Sequence, residues 1–412
     1  MVQGVPTLLN LLRDRAAYAW LAFVIPAIAI FGHALAPGTA VFKGQDLGIV
    51  LAIILSAVAV VAWLPYRAHA RSPRLVAVTI ALILLAWLVQ ILRIQLDGAL
   101  FNITTFCLPL LLLLLVLKPP STKDMHFAGL LLFYSVAIIA LVSLPLELLG
   151  LMPSGFEGAD NGVCRLSVFC DLVNNLNRWA GPFGSVNYAG PMGALLIVYG
   201  AAQRRTHAWI LVSTGVLVMF LSQGRTAIFA TVAGLAVVIL WGPRVSRSPN
   251  RRNIRALTLS GLAAVGLLYI LAIDPTLNGR VAIWGDLLGL WRNKPWTGLG
   301  TSGIVENVEQ SNGVGMALHA HSVVLDQLVR WGPAQALLTV AILVLIVFAA
   351  ARALPAAGPG PLAVGIAVIV AGLVETMHDW TYWSIIVAML VWSLVSWVHD
   401  RSDDRIGVSS AE

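Results

Sequence analysis

The residues of this chain most capable of chemistry gather between positions 279 and 332: Arg280 and Trp284, then Pro295, Gly298, Gly300 and Gly303, then His319, His321 and Ser322 at the head of an apolar run. Imidazole is the side chain whose proton moves most readily near neutral pH, so one of the two histidines could act as a general base toward a hydroxyl group. An interfacial histidine capping a helix is the alternative. Their i, i+2 spacing does not place both on one face of a helix, and neither HExxH nor CxxC accompanies them, which argues against a metal site. Gly298, Gly300 and Gly303 fit GxGxxG, but no strand precedes them and no βαβ unit can be built here, so a dinucleotide site is excluded. Arg225, in the turn after a short apolar run, and Arg280 are guanidinium groups at a membrane boundary, where they could fork onto the oxygens of a lipid diphosphate. Arg178, Arg292 and Arg330 are weaker candidates for the same pocket, each also readable as an ordinary loop or helix-end charge. Trp179, Trp284, Trp291, Trp296, Trp331, Trp380 and Trp383 could stack on sugar faces or simply form an interfacial aromatic belt.

The elements that must hold these groups are membrane helices. Of 412 residues, 59% are hydrophobic and only 11% charged, too few polar groups to clothe a water-soluble particle of this size. Apolar runs near the length that crosses a bilayer predict about twelve helices, at 17–36, 46–65, 76–96, 98–117, 127–149, 185–202, 208–222, 226–242, 256–273, 323–350, 360–378 and 381–398. The first run, from Tyr18, lacks a small-residue cleavage signature and reads as a span. The runs at 208–222 and 226–242 are short and could form a hairpin that only partly crosses. The pattern predicts an all-α polytopic membrane protein, one transmembrane domain over 1–412.

With the N-terminus in the cytoplasm, 17 of the 26 basic residues fall inside and 13 of the 19 acidic residues outside, the asymmetry that the positive-inside rule expects. Both termini are then cytoplasmic, and two long loops, 150–184 and 274–322, face outward and carry the candidate chemistry. On that side Arg225 and Arg280 work against the charge bias and need another reason to be there. The net charge of +7 and the basic run from Arg244 to Arg255 belong to topology rather than to nucleic-acid binding. Cys164 and Cys170, both in the first long loop, could be bonded or free, and Cys107 lies in an apolar run. An Ala/Gly/Pro-rich joint at 353–362 connects two helices.

The arrangement resembles the O-antigen ligase and Wzy-type polymerase family of bacterial membrane glycosyltransferases. Ligases of that family carry a histidine followed by Asn, Ser or Gln, nine residues and a glycine; here His321, Ser322, nine residues and Gly332 fit, whereas Gln335 stands where a second glycine is usual. Phe183 to Asn187, the turn Gly224-Arg225-Thr226, and Arg280 with Trp284, Pro295, Gly298 and Gly300 are similar to family members in order and spacing. The resemblance implies a GT-C-like fold in the inner membrane with its active site on the periplasmic face. It further implies a metal-independent, cofactor-free, inverting transfer from an undecaprenyl diphosphate-linked oligosaccharide or polysaccharide to a hydroxyl of a glycan, lipid or protein acceptor. His321 would be the base; Arg225 and Arg280 would bind the diphosphate; Asn187, His319, Trp284 and Arg178 would contact substrate. A repeat-unit polymerase is the alternative within this chemistry, and a twelve-helix secondary transporter the alternative outside it.

Overall fold

The computed structural model describes residues 70–71, 74–96, 122–149, 156–157, 178–183, 185–203, 207–241, 280–300, 320–375, 385–396 and 399–400, with a few positions at 109–116 and 303–304 besides. The expected spans at 17–36, 46–65 and 256–273, most of 98–117, both termini, the basic run 244–255, Cys107, Cys164, Cys170, His319, Trp380 and Trp383 lie outside the described residues. The described chain is mostly helical: α1 (Arg74–Leu96), α2 (Thr122–Leu148), α3 (Val186–Ala202), α4 (Ala208–Ser222), α5 (Arg225–Trp241), α6 (Arg280–Trp291), α7 (Val323–Trp331), α8 (Pro333–Arg352), α9 (Leu354–Ala357), α10 (Gly360–Val374) and α11 (Ile385–Val395). Two-residue strands join distant segments: β1 (Ala70–Arg71) pairs antiparallel with β4 (His399–Asp400), and β2 (Phe156–Glu157) with β3 (Arg178–Trp179).

Three of these helices, over Arg74–Arg93, Met125–Leu148 and Pro333–Arg352, are long and apolar enough to cross a membrane. Each turns large apolar side chains outward, such as Leu85 and Leu92 of α1, Ile138 and Val142 of α2, and Leu337 and Val344 of α8, a surface that suits lipid and not water. Shorter apolar helices fill the interior. In hydrocarbon no hydrophobic force draws helices together, so close approach depends on small residues. Gly193 of α3 and Gly215 of α4 meet in this way: a Cβ on Gly193 would lie 2.7 Å from the Gly215 carbonyl, and one on Gly215 only 2.5 Å from the Gly193 carbonyl. Gly234 of α5 accepts the Val198 side chain of α3 and lies against the Ala363 carbonyl of α10.

These contacts fix the directions of the helices. Gly190 meets Gly224 and Ala227 while Val198 meets Gly234, so α3 and α5 run parallel. Helix α10 starts at Gly360 beside Ala202 and Tyr199, at the far end of α3, and returns toward the end where α3 and α5 begin. The N-termini of α3 and α5 and the C-terminus of α10 therefore share one end of the bundle. The opposite end is fastened by Phe133 stacked on Tyr199 at 3.9 Å, with Trp392 edge-on to both and its indole N–H donating to the Met125 carbonyl at 2.8 Å.

One element differs from the expectation. The run 323–350 is not one helix but two, broken where Gly332 takes φ 85 and α8 restarts at Pro333. Proline has no N–H to continue a helix but suits the first turn of the next one. Helix α7 is also too polar for an apolar span, because it buries Asp326 and Gln327. Gln327 accepts a hydrogen bond from the Gln90 amide of α1 at 2.5 Å, which pairs the two side chains in an apolar surround.

Candidate active site

Helix α10 is apolar from Gly360 to Val374 and ends on a carboxylate, Glu375, that is 4% exposed. A buried acid at a helix C-terminus opposes both desolvation and the helix dipole, so it persists only where cations or donors meet it. Both are present. Oε1 is paired with the Arg280 guanidinium, and Oε2 lies 3.1 Å from Nδ1 of His321. The carboxylate is sealed at 5% side-chain exposure, while Arg280 and His321 remain reachable at 16% and 17%. An ionised carboxylate accepts and does not donate, so it favours the tautomer of the imidazole that carries its proton on Nδ1, in which Nε2 is the basic nitrogen.

His321 has φ 47, a left-handed conformation that is uncommon outside glycine and costs roughly 1–3 kcal/mol. The chain on either side over-determines it. The Trp284 indole N–H donates to the Ala320 carbonyl at 2.7 Å, and the Ala320 N–H donates to Oδ1 of Asp326 at 3.0 Å. Asp326 in turn lies 2.9 Å from Nε of Arg330, one helical turn on. Arg280 and Trp284 are themselves one turn apart on α6, so that short helix touches the His321 segment twice, once through Glu375 and once through Ala320. Trp284 thus spends its N–H on the backbone before His321, while its ring stays half-buried.

Behind this segment the glycines of the rejected dinucleotide pattern find their use. Gly298, at φ 70, packs on the Arg330 carbonyl, and Gly332 packs on the Trp296 carbonyl, so the 296–299 loop lies backbone to backbone against the α7–α8 joint. Leu299 N–H donates to the Val329 carbonyl at 2.8 Å, and Arg93 of α1 donates to the Thr297 carbonyl at 2.7 Å.

A second group surrounds the α4–α5 turn. Gln223 closes α4 in the left-handed region, Gly224 abuts Gly190 of α3, and Arg225 opens α5. Arg178 donates through Nε to the Ser222 carbonyl at 3.0 Å, which caps α4. The neighbouring Trp179 is buried and donates to Glu147 at 2.8 Å. Asn187 is not the cap of α3: that task falls to Ser185, whose Oγ accepts the Asn187 N–H at 3.2 Å. Asn187 precedes Gly190 by three residues and so sits on the helix face that meets the turn. The two groups lie at the same end of the bundle, with Arg280, Trp284 and His321 brought together by contact, and Arg225, Arg178 and Asn187 clustered around the turn. Arg292 is exposed on the loop after α6.

Motif spacing passes over Glu375 and Asp326. The available signal for Glu375 was an ionisable residue inside an otherwise apolar span, a functional marker in membrane proteins. Among the described residues no group of three His, Cys, Asp or Glu side chains is placed to hold a metal ion.

Fold and site together define a helical membrane protein with a buried carboxylate that joins a histidine to an arginine at one end of its bundle. Residues 209–339, about a third of the chain, match the family model described as O-antigen ligase, and this match supports a likeness to the O-antigen ligase/Wzy family. The matched segment runs from α4 to the first half of α8 and includes Arg225, Arg280, Trp284, His321 and Gly332. No curated protein matches the chain.

Proposed function

We propose that the protein transfers a glycan from an undecaprenyl diphosphate carrier to a hydroxyl acceptor, as an inverting glycosyltransferase of the ligase type working at the periplasmic face of the inner membrane. The observation that carries this reading is Glu375, which holds a base and a cation on its two oxygens. In the reaction the acceptor oxygen attacks the anomeric carbon from the side opposite the diphosphate. The bond from that carbon to the phosphate oxygen breaks, and its electron pair leaves on the diphosphate. The hydroxyl proton passes to Nε2 of His321, and the imidazolium so formed is stabilised by Glu375 across the ring. Departing charge is met by the edge of Arg280 turned away from Glu375 and by Arg225. Arg225 stands at the first turn of α5, where the helix N-terminus adds its own partial positive charge. Fixed cations placed in advance make a divalent metal unnecessary for this step. Pro191 supplies no N–H to the Asn187 carbonyl, which leaves a backbone acceptor suited to a sugar hydroxyl on that face of α3.

Arg225→Ala is expected to raise KM for the lipid-linked donor about tenfold, the worth of one charge-assisted contact, with kcat reduced less. Arg225→Lys should restore part of that affinity. Donor titrations in nanodiscs measure both, and an unchanged KM in the alanine variant would remove Arg225 from the donor site.

The decisive experiment is transfer by purified protein in nanodiscs, with a lipid diphosphate-linked oligosaccharide as donor and a chelator present throughout. Product on a glycolipid acceptor supports the ligase reading. Product only on a second lipid-linked repeat supports a polymerase, a reading favoured by Gln335 standing where ligases carry glycine and donating instead to the Ala86 carbonyl at 3.3 Å. Chelator-sensitive product overturns the metal-independent step, and no product with any acceptor favours transport.

A further inference from the structure

Asp326 is 4% exposed, four positions into α7, and its carboxylate ignores the first turn of its own helix. An ordinary capping side chain would take the N–H groups of that turn, yet Ser322, the N-cap, makes no side-chain cap bond. Asp326 instead reaches back to the N–H of Ala320, beyond His321, while its other oxygen faces Arg330. Ala320 is thereby held by both polar groups: its N–H by Asp326 and its carbonyl by Trp284. The N–H belongs to the peptide before Ala320 and the carbonyl to the peptide before His321, so two successive peptide planes are fixed. The unusual φ of 47 at His321 is measured about the first bond after those planes.

We propose that Asp326 is a positioning residue for the transfer reaction, holding His321 in the left-handed pose that sets Nδ1 on Glu375 and presents Nε2 to the acceptor. The inference rests on the transferase reading given above. Without the Ala320 contact the segment relaxes toward ordinary φ, and the ring swings away from the carboxylate at the end of α10.

The test compares wild type, Asp326→Leu, Asp326→Asn and Arg330→Gln in nanodiscs. Asp326→Leu deletes the acceptor and is expected to lower kcat about thirtyfold with donor KM held within about twofold, the pattern of a misplaced catalytic group. Asp326→Asn keeps an oxygen for the Ala320 N–H and should return kcat to within about fivefold of wild type. Arg330→Gln removes the charge that faces Asp326 and keeps the Ala320 contact, so it should stay within about threefold. A readout independent of turnover is carbethoxylation of His321 by diethyl pyrocarbonate, followed by peptide mass spectrometry. Its rate should rise about threefold in Asp326→Leu, as the ring leaves Glu375, and stay near wild type in Asp326→Asn. A folded Asp326→Leu with wild-type kcat and labelling overturns the proposal, and so does an Arg330→Gln loss as large as that of Asp326→Leu. If Asp326→Leu does not fold, the other two variants decide: faster His321 labelling in Asp326→Asn, or in Arg330→Gln to the same degree, overturns it, and wild-type labelling in both supports it. Labelling that responds as expected in a protein without transfer activity upholds the positioning role and sinks the transferase reading instead.

Discussion

Replacing His321 with alanine is expected to lower glycan transfer about 10³-fold while donor binding persists, because in the proposed mechanism the base contributes to the step and not to the capture of the diphosphate. Glu375→Gln should fall nearly as far, for a different reason. The amide keeps the shape of the carboxylate but offers one oxygen and one amino group in place of two acceptors. If the oxygen stays with Arg280, the amino group faces Nδ1 of His321, and the proton of the ring is driven to Nε2, where the acceptor needs a lone pair. If the amide turns over, Nδ1 keeps its partner but the guanidinium loses its acceptor at a site with 5% exposure. Product formation measured by mass spectrometry beside donor binding measured on the same nanodiscs separates capture from chemistry. A His321→Ala protein that turns over at the wild-type rate would end the proposed mechanism, and a Glu375→Gln protein that does so would remove the carboxylate from it.

The pair explains why the sequence reveals one half of the site and hides the other. His321 is legible from its place at the head of an apolar run with glycines at fixed intervals, and Arg280 and Arg225 from being cations where topology disfavours them. Each of those signals is local, or depends only on the side of the membrane. Glu375 lies fifty-four residues beyond His321, at the end of a helix whose direction is set by glycine contacts to α3 and α5, and no periodicity reports that closure. Trp284 is legible as an aromatic at the right place, but the partner of its N–H depends on Ala320 arriving 36 residues later. The helical character of the chain is legible from its apolar runs. The break between α7 and α8 was also open to view in Gly332 and Pro333, and hydropathy alone smooths over it because the long apolar run of α8 outweighs the few polar residues of α7.

Gly332→Ala carries the largest expected effect on stability. At φ 85 and ψ 176 the residue occupies a region that is essentially reserved for glycine, so any side chain strains the backbone before its surroundings are considered. A Cβ there would also lie 2.3 Å from the Trp296 carbonyl, an atom fixed in backbone that cannot rotate aside. Strain and clash together should cost about 4 kcal/mol and lower the thermal midpoint in detergent by about 5–10 °C. The control is Gly285→Ala on α6, where a Cβ meets nothing within 4 Å and alanine is the better helix former, so the midpoint should hold or rise. Activity should follow the loop. If the 296–299 segment is pushed off the α7–α8 joint, α7 loses its backing at Val329 and Arg330, and Asp326 and His321 move with it. Transfer measured at a temperature where the variant remains folded therefore separates two routes: a lower kcat means the joint positions the base, whereas a wild-type kcat means it serves only to hold the bundle together. An unchanged midpoint would contradict the backbone contact itself.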